Sequence, residues 1–251
     1  MSLKKAIAFI VFTAFISSAS ASNVEKPKET EWPFDGIFGY FDKQAIQRGF
    51  KVFKEVCSAC HSIKYLEYGN LTKVGFSEAE VKTIAAEYNV QDGPNDQGDM
   101  FERPARLTDY FHTPFANEQA ARAANNGAHP PDLSLIVKAR EDGANYIHSL
   151  LTGYQDPPEG VEVPDGMHYN PYFPNHNIAM TPPLTAGAVE YTDGTEDSID
   201  QMSKDVVMFL QWVAEPKMEE RKILGIKVML YLFIFTIVFY LAKKKIWSDV
   251  K

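Results

Sequence analysis

The sequence predicts a mainly α-helical protein with long loops in its exported part and one membrane-spanning helix near its C-terminal end. Apolar residues recur at helical spacing around residues 42–56 and 198–215. Between these segments, much of residues 90–195 is rich in Pro, Gly, Asn and Asp and shows little periodicity or strand signal. Near the end, residues 223–242 form a nearly unbroken apolar run of 20 residues, which is long enough to cross a bilayer.

Residues 1–21 have the features of a cleavable secretory signal. Two lysines precede an apolar run over residues 6–16, and three small residues at 19–21 form a cleavage pattern. The alternative is a retained N-terminal anchor, but the apolar run is short for a span. We therefore expect a mature chain that begins near Ser22, with residues 22–215 as an exported domain.

The first predicted helix begins at Asp42, a residue suited to capping, and runs to about Val56. One face carries apolar or small residues: Ile46, Gly49, Phe50 and Phe53. Glycine destabilises a helix interior unless a close neighbour needs the space, so Gly49 predicts a helix-crossing point.

The second predicted helix, residues 198–215, supplies a partner for this crossing. Its inward residues are expected to be Ile199, Met202, Val206, Phe209, Leu210 and Val213. Shorter helices are predicted at residues 117–124 and at residues 133–154, the latter interrupted at Gly143.

Both cysteines of the chain lie in the motif Cys57-Ser58-Ala59-Cys60-His61, which is the attachment signature of c-type haem. Two residues between the cysteines allow both sulfurs to reach one edge of a porphyrin, and the adjacent histidine can then reach the iron. Three alternatives exist for such a pair. A thioredoxin-like dithiol usually lies in a βαβ unit, and the sequence around residue 57 shows no such pattern. A structural zinc site needs four ligands, but the chain has no second cysteine pair. A simple disulfide would leave the position of His61 unexplained.

The second axial ligand of a haem iron has several candidates. Met202 and Met208 fall on the C-terminal helix, where core packing is the better interpretation. Met180 is favoured because the proline-bounded sequence Met180-Thr181-Pro182-Pro183 can hold a thioether in place without a helix. The remaining candidates are Met100, Met167, His112, His129, His148, His168 and His176. Ligation by His and Met suits electron transfer rather than oxygen chemistry.

The C-terminal apolar run predicts a single membrane anchor, residues 216–242, whose apolar span is residues 223–242. Lys227 can extend its amine to the headgroups, and three lysines at 243–245 end the span. When Lys227, near the start of the span, is counted with the N-terminal flank, four basic residues lie on each side, so the flanks do not set the orientation. The predicted signal peptide sets the orientation, because export of the preceding domain leaves residues 243–251 as a cytoplasmic tail.

The formal net charge of −8 averages over unlike segments. Residues 22–215 contain 15 basic and 30 acidic side chains, a net charge of −15, whereas residues 216–251 are cationic. A nucleic-acid partner is therefore not expected, because such binding needs a basic surface. A basic protein partner is expected instead.

The motifs together resemble the cytochrome c1 family, the haem subunits of the cytochrome bc1 (ubiquinol–cytochrome c oxidoreductase) complex. The resemblance covers essentially the whole mature chain, including the C-terminal anchor. Besides the cysteine motif, it rests on residues 103–110, 123–134, 138–140, 146, 149–154, 171–174 and 180–183.

The resemblance implies a class I c-type cytochrome-like domain with one covalent haem c. By position, Cys57 and Cys60 would form the thioether bonds, and His61 and Met180 would bind the iron. Arg140 would pair with a haem propionate and Tyr146 would help to set the potential. Pro131, Leu151 and Phe173 would line the haem pocket. A solvated surface charge is the alternative for Arg140.

The resemblance also implies function and location. The protein would relay electrons from the Rieske iron–sulfur protein to cytochrome c, bound to cytochrome b, as an electron-transfer subunit rather than a catalyst on its own. It would span the bacterial inner membrane once, with the haem domain in the periplasm. The alternatives are a free-standing membrane-tethered shuttle and a haem peroxidase or sensor.

One acidic run is a predicted docking patch for a basic cytochrome c, with a solvated acidic loop as the alternative. Its members are Glu190, Asp193, Glu196, Asp197 and Asp200.

Overall fold

The computed structural model describes residues 24–250, so the predicted signal peptide falls outside the described residues. The architecture is mainly helical, as predicted. The helices are α1 (Lys43–Val52), α2 (Glu78–Ala86), α3 (Glu118–Ala124), α4 (Ile136–Ala139), α5 (Gly143–Thr152), α6 (Ile199–Ala214) and α7 (Met218–Ile246). Two antiparallel strand pairs join β1 (Asn89–Asp92) to β2 (Phe101–Pro104) and β3 (His168–Tyr169) to β4 (Asn177–Ile178).

Helix α1 begins where the sequence predicted, because Asp42 caps it. One carboxylate oxygen accepts hydrogen bonds from the backbone N–H groups of Gln44 (2.9 Å) and Ala45 (3.2 Å). After Val52 the helix widens into one π-helical turn, Phe53–Cys57, in which Ser58 N–H donates to the Phe53 carbonyl at 2.8 Å. The helical segment therefore ends at the first cysteine of the motif.

Helices α1 and α6 cross at Gly49, which confirms the predicted crossing point. A Cβ at this position would lie 1.9 Å from the carbonyl oxygen of Asp205, so only glycine allows the two backbones to approach this closely. Next to it, Arg48 pairs with the buried Asp205 through two hydrogen bonds, Nε to Oδ2 at 2.9 Å and Nη2 to Oδ1 at 3.0 Å. A bidentate pair with one partner buried fixes both the separation and the register of the helices.

Helix α6 begins after Ser198, whose hydroxyl accepts a hydrogen bond from Gln201 N–H. Five of the six predicted inward residues are buried, but Ile199 is 37% exposed. Its assignment to the core was wrong because it occupies the first turn, before the helix reaches the crossing with α1.

The predicted helix over residues 133–154 is two short helices, α4 and α5. The chain between them turns through positive φ angles at Asp142 (+58°) and Gly143 (+32°). A Cβ on Gly143 would meet the carbonyl oxygen of Val137 at 2.5 Å, so the break folds α5 back against the end of α4. Helix α3, predicted over residues 117–124, spans Glu118–Ala124 and is capped by Asn117.

Several elements were not predicted from the sequence. The 3₁₀-helix Tyr68–Val74 and helix α2 lie where no helix was assigned, and both strand pairs lie in the region predicted to be irregular. Helix α2 carried a usable signal, because Ser77 and Glu80 form a reciprocal capping box.

The last helix, α7, is long and apolar enough to cross a membrane and confirms the predicted anchor. It continues four residues beyond residue 242, so that the lysines at 243–245 lie in its last turn. Favourable interaction of these lysines with the helix dipole accounts for the extension. Met218, at its start, is buried in the core of the soluble domain.

Candidate haem-binding site

The cysteine motif folds into a tight turn directly after the π-helical turn. The N–H groups of Cys60 (3.1 Å) and His61 (2.9 Å) both donate to the carbonyl of Cys57. The two cysteines are free thiols: Cys57 is half-buried against the core and Cys60 is exposed. Burial raises the pKa of the Cys57 thiol to about 12, with a smaller contribution from Cys60. The two sulfurs are not bonded to each other, unlike in the simple disulfide considered from the sequence.

His61 is oriented by Pro131. Its Nδ1 atom lies 2.8 Å from the Pro131 carbonyl oxygen, which can only accept a hydrogen bond, so Nδ1 carries the proton. The Nε2 atom then has a free lone pair, as a metal-binding imidazole requires. Burial lowers the pKa of His61, and the Pro131 carbonyl opposes this less strongly. The neutral, ligating form is thus favoured at neutral pH.

Asp132 joins the segment that contains Pro131 to the segment that follows His61. Its Oδ2 atom accepts hydrogen bonds from the Ser62 hydroxyl (2.7 Å) and from Lys64 N–H (3.0 Å), and its Oδ1 atom accepts one from Ser134 N–H (3.0 Å). Burial raises the pKa of Asp132, but these donors outweigh it and the net shift is downward. The carboxylate next to Pro131 therefore clamps that residue's segment onto the chain that follows His61.

Met180 is half-buried and is held through its backbone. The Tyr154 hydroxyl, just after α5, donates to the Met180 carbonyl at 3.0 Å. Met180 follows β4 by two residues and precedes Pro182 and Pro183, so its segment is restrained on both sides. Burial also raises the pKa of the Tyr154 phenol, which keeps it a hydrogen-bond donor.

The turn that precedes Met180 is organised by Asn170, which is fully buried. Its side-chain N–H donates to the Leu150 carbonyl at 2.8 Å, and its side-chain oxygen accepts from Tyr172 N–H at 3.1 Å. Its own N–H donates to the His176 carbonyl at 2.8 Å. One buried amide thus joins α5 to both sides of the turn that contains Phe173.

The predicted pocket residues Tyr146 and Leu151 lie on α5, whereas Pro131 and Phe173 lie on loops. Tyr146 and Leu151 pack against the hydrophobic core, and Phe173 is half-buried. Burial raises the pKa of Tyr146, while the nearby Arg140 acts in the opposite direction. Arg140 is exposed and forms no ion pair with an acidic side chain of residues 24–250, so its guanidinium is available for an anionic group.

The other axial candidates have different surroundings. Met202 and Met208 are buried in the core, as predicted, whereas Met100 and Met167 are 58% and 41% exposed. His148 is buried, with Nδ1 3.0 Å from the Ser203 hydroxyl and Nε2 3.3 Å from Asp200. Among the candidate methionines, Met180 is therefore the one that is partly buried on a restrained loop.

The donor set fits a covalently bound haem. It combines two free thiols at the required spacing, an imidazole with Nε2 available and a partly buried thioether. In the described residues, no group of three or more His, Cys, Asp or Glu side chains is arranged to bind a metal ion directly. The thiols therefore lack the additional ligands of a structural zinc site.

The predicted docking patch is not uniform. Asp193 pairs with Arg48 at 2.9 Å, and Asp200 pairs with Lys204 at 2.7 Å. Glu190 and Glu196 are exposed, Asp197 is half-buried, and none of these three forms an ion pair in the described chain. The charge available to a partner is therefore smaller than the sequence suggests.

Sequence reasoning gave no role to Tyr154, Asp132 or Asn170. Asp132 had a local signal, because an Asp two residues before Ser134 favours a turn in which the carboxylate accepts a backbone hydrogen bond. Tyr154 and Asn170 had none, since their partners lie 26 and 20 residues away.

Comparisons with known proteins identify the family of this chain. The family model described as the cytochrome C1 family matches residues 32–250. The mitochondrial cytochrome c1 1 haem protein of Arabidopsis thaliana is 49% identical over 95% of this chain and 78% of its own length. Cytochrome c1 of Rhodospirillum rubrum is 48% identical over 88% of this chain and 87% of its own.

A further relative is a longer protein. The cytochrome b/c1 protein of Bradyrhizobium diazoefficiens is 49% identical over 90% of this chain, which spans only 36% of that protein's length. Since the family model covers most of the chain and two of these relatives match over most of their own length, the chain belongs to the cytochrome c1 family and is a haem-binding, membrane-anchored electron-transfer protein.

Proposed function

We propose that this chain takes an electron from a Rieske iron–sulfur protein and passes it to cytochrome c, as a subunit of the quinol–cytochrome c oxidoreductase complex. The names of two relatives, a cytochrome b/c1 protein and a cytochrome b-c1 complex catalytic subunit of Candida albicans, support a place beside cytochrome b. The observation that carries the proposal is the His61–Pro131 hydrogen bond at the end of the haem motif, because it prepares an imidazole for iron.

The cofactor in this proposal is one haem c. It would be held by thioether bonds from Cys57 and Cys60, with His61 and Met180 as axial ligands. When bound, the iron would accept and release one electron, and a His/Met ligand pair favours a high potential and excludes exogenous ligands. This chemistry disfavours a peroxidase or gas sensor, both of which need an open position on the iron.

The chain's own residues would orient and tune the group. Pro131 and Asp132 fix the plane of the His61 ring, and the Tyr154 hydroxyl fixes the backbone of Met180. Arg140, which is exposed and close to the Tyr146 phenol, would balance the charge of a propionate. The pocket lining would come from Pro131, Leu151 and Phe173.

The proposed location is the bacterial inner membrane, with one span and the haem domain in the periplasm. The signal-like residues 1–21 support this orientation. In this arrangement residues 22–215 form the exported domain, 216–242 the anchor and 243–251 the cytoplasmic tail.

Gentle solubilisation of the full-length protein from its native membrane, followed by mass analysis of co-purifying chains, tests this function. A complex subunit should bring a b-type cytochrome and a Rieske protein. Recovery of the haem-loaded chain without either would indicate a free-standing tethered shuttle. In parallel, Cys57→Ser with Cys60→Ser should abolish haem that survives denaturation, whereas haem retained through denaturation would contradict covalent attachment.

A further inference from the structure

The loop before α1 exposes three large apolar side chains. Ile37 is 68% exposed, Phe38 is 86% exposed and Tyr40 is 59% exposed. On the same loop, Phe34 turns inward, is 7% exposed and stacks on Trp32 at 5.4 Å between ring centroids. The loop is therefore anchored in the core by Phe34 and presents Ile37, Phe38 and Tyr40 at its surface.

The conformation of this loop is fixed by the backbone. Tyr40 N–H donates to the Pro33 carbonyl at 2.9 Å, which closes the loop. A Cβ at Gly39 would lie 2.3 Å from the carbonyl oxygens of both Phe34 and Asp35, so the turn requires glycine there. The exposed side chains thus project from an ordered turn, and little conformational entropy remains to be lost when they are covered.

Two hydrogen bonds join the loop to the start of the membrane helix. Phe41 N–H donates to a carboxylate oxygen of Glu219 at 2.6 Å, and the Lys222 amine donates to the Phe34 carbonyl at 2.6 Å. Glu219 and Lys222, both on α7, are separated by about 4.5 Å along the helix axis. Lys222 directly precedes the apolar span, residues 223–242, so the loop lies at the level where α7 enters the bilayer.

We propose that Ile37, Phe38 and Tyr40 insert into the headgroup region of the membrane and form a second lipid contact beside α7. Aromatic residues are favoured at this depth, where their rings are buried and a phenol can remain hydrated. Lys222, which holds the loop through the Phe34 carbonyl, and Arg221, which pairs with Glu215, are cations at the same level of α7. Cationic groups at this level are compatible with an anionic lipid surface. This contact is independent of electron transfer and concerns how the soluble domain rests on the bilayer.

A photo-crosslinking experiment tests the contact without relying on haem attachment. Phe38 is replaced by p-benzoylphenylalanine in the full-length protein, which is reconstituted into vesicles of phosphatidylcholine and phosphatidylglycerol and irradiated. Residue 38 is almost fully exposed, so the change should leave the fold intact, which far-ultraviolet circular dichroism checks. Matched samples carry the same residue at Met100, exposed in the soluble domain, and at Tyr240, within the apolar span.

Mass analysis should find lipid adducts at positions 38 and 240 and far fewer at position 100. Equal adduct yields at positions 38 and 100 would overturn the proposal. Irradiation in native membranes provides a second criterion. If the reagent at position 38 then joins a protein chain in place of lipid, the loop is a subunit interface and the proposal is wrong.

Discussion

The Nδ1 atom of His61 and the carbonyl oxygen of Pro131 lie 2.8 Å apart, although 70 residues separate them in the chain. This hydrogen bond gives the imidazole one tautomer and one ring orientation before any iron binds. The site is therefore preorganised by a residue that contributes only its backbone, and the side chain of Asp132 keeps that backbone in position.

Replacing Asp132 by Asn should weaken the site through this clamp. The amide has only one oxygen in place of two, so at least one of the three hydrogen bonds is lost. Loss of a charged, partly buried hydrogen bond costs about 1.5–3 kcal/mol of unfolding free energy. Denaturant unfolding measures the loss, and the midpoint potential should also shift because His61 is held less firmly. Asp165→Asn, on an exposed turn, is the matched control; equal effects of the two changes would contradict the clamp.

Met180→Leu should lower the midpoint potential, because a thioether ligand that raises the potential is removed. The opened position should also allow the reduced protein to bind carbon monoxide, which absorption spectroscopy detects. Met167→Leu removes an exposed methionine and should change neither property. Should Met180→Leu keep the parental potential and bind no carbon monoxide, another residue is the ligand.

Gly49→Ala should destabilise the soluble domain even though alanine is the better helix former. The new Cβ would lie 1.9 Å from the Asp205 carbonyl oxygen, so the helices must separate. Overpacking of this kind costs about 1–3 kcal/mol or more, which outweighs the gain of up to about 1 kcal/mol in helix propensity. Gly225→Ala in α7 meets no atom within 4 Å and is the control. Unchanged unfolding of Gly49→Ala would mean that the helices are not packed this closely.

Stability should fall as the pH drops below 6.5, in part because of His148. Burial lowers the pKa of this histidine from 6.5, and Asp200 opposes the shift less strongly. A base whose pKa is lower in the folded state stabilises the fold fully above its unfolded pKa, and this contribution is lost as the pH falls through the folded value. His148→Gln should therefore flatten the dependence of unfolding free energy on pH below 6.5. An unaltered slope would show that other groups produce it.

Reduction of a basic cytochrome c should slow as ionic strength rises, since salt screens steering by an acidic surface. Stopped-flow rates measure this effect. Charge reversal at the exposed Glu196 should reduce the salt dependence more than Glu159→Lys, which changes the net charge equally outside the predicted patch. A rate independent of salt would contradict steering altogether, and equal slopes for the two variants would place the docking surface elsewhere.

The parts of the fold that could be predicted depend on local signals. Asp42 and Ser198 mark helix starts because their side chains cap the helices. Gly49 marks a crossing because glycine destabilises a helix interior unless a close neighbour needs the space. The break between α4 and α5 extends over residues 140–142 rather than lying at Gly143 alone, because the chain must turn back there against Val137. Such tertiary requirements leave no periodic pattern in the sequence.

In the candidate site, too, residues with a local sequence signal could be predicted and those that depend on distant contacts could not. The cysteine motif could be identified from the sequence because its spacing matches the covalent geometry of haem attachment. The hydrogen bond from Tyr154 to Met180 and those of Asn170 were not predictable, because each depends on how distant loops meet. Likewise, two of the five acidic residues of the predicted patch pair with basic side chains, which only the folded structure reveals.

The close crossing of α1 and α6 has a mechanical consequence. Helix α1 leads through the π-helical turn into the two cysteines, while α6 is followed after three residues by α7, whose first residue is buried in the same core. The haem-attachment turn and the membrane helix are therefore coupled through one contact in which no side chain separates the backbones. The position of the haem-attachment turn relative to the start of the membrane helix is thus set by packing within the chain itself.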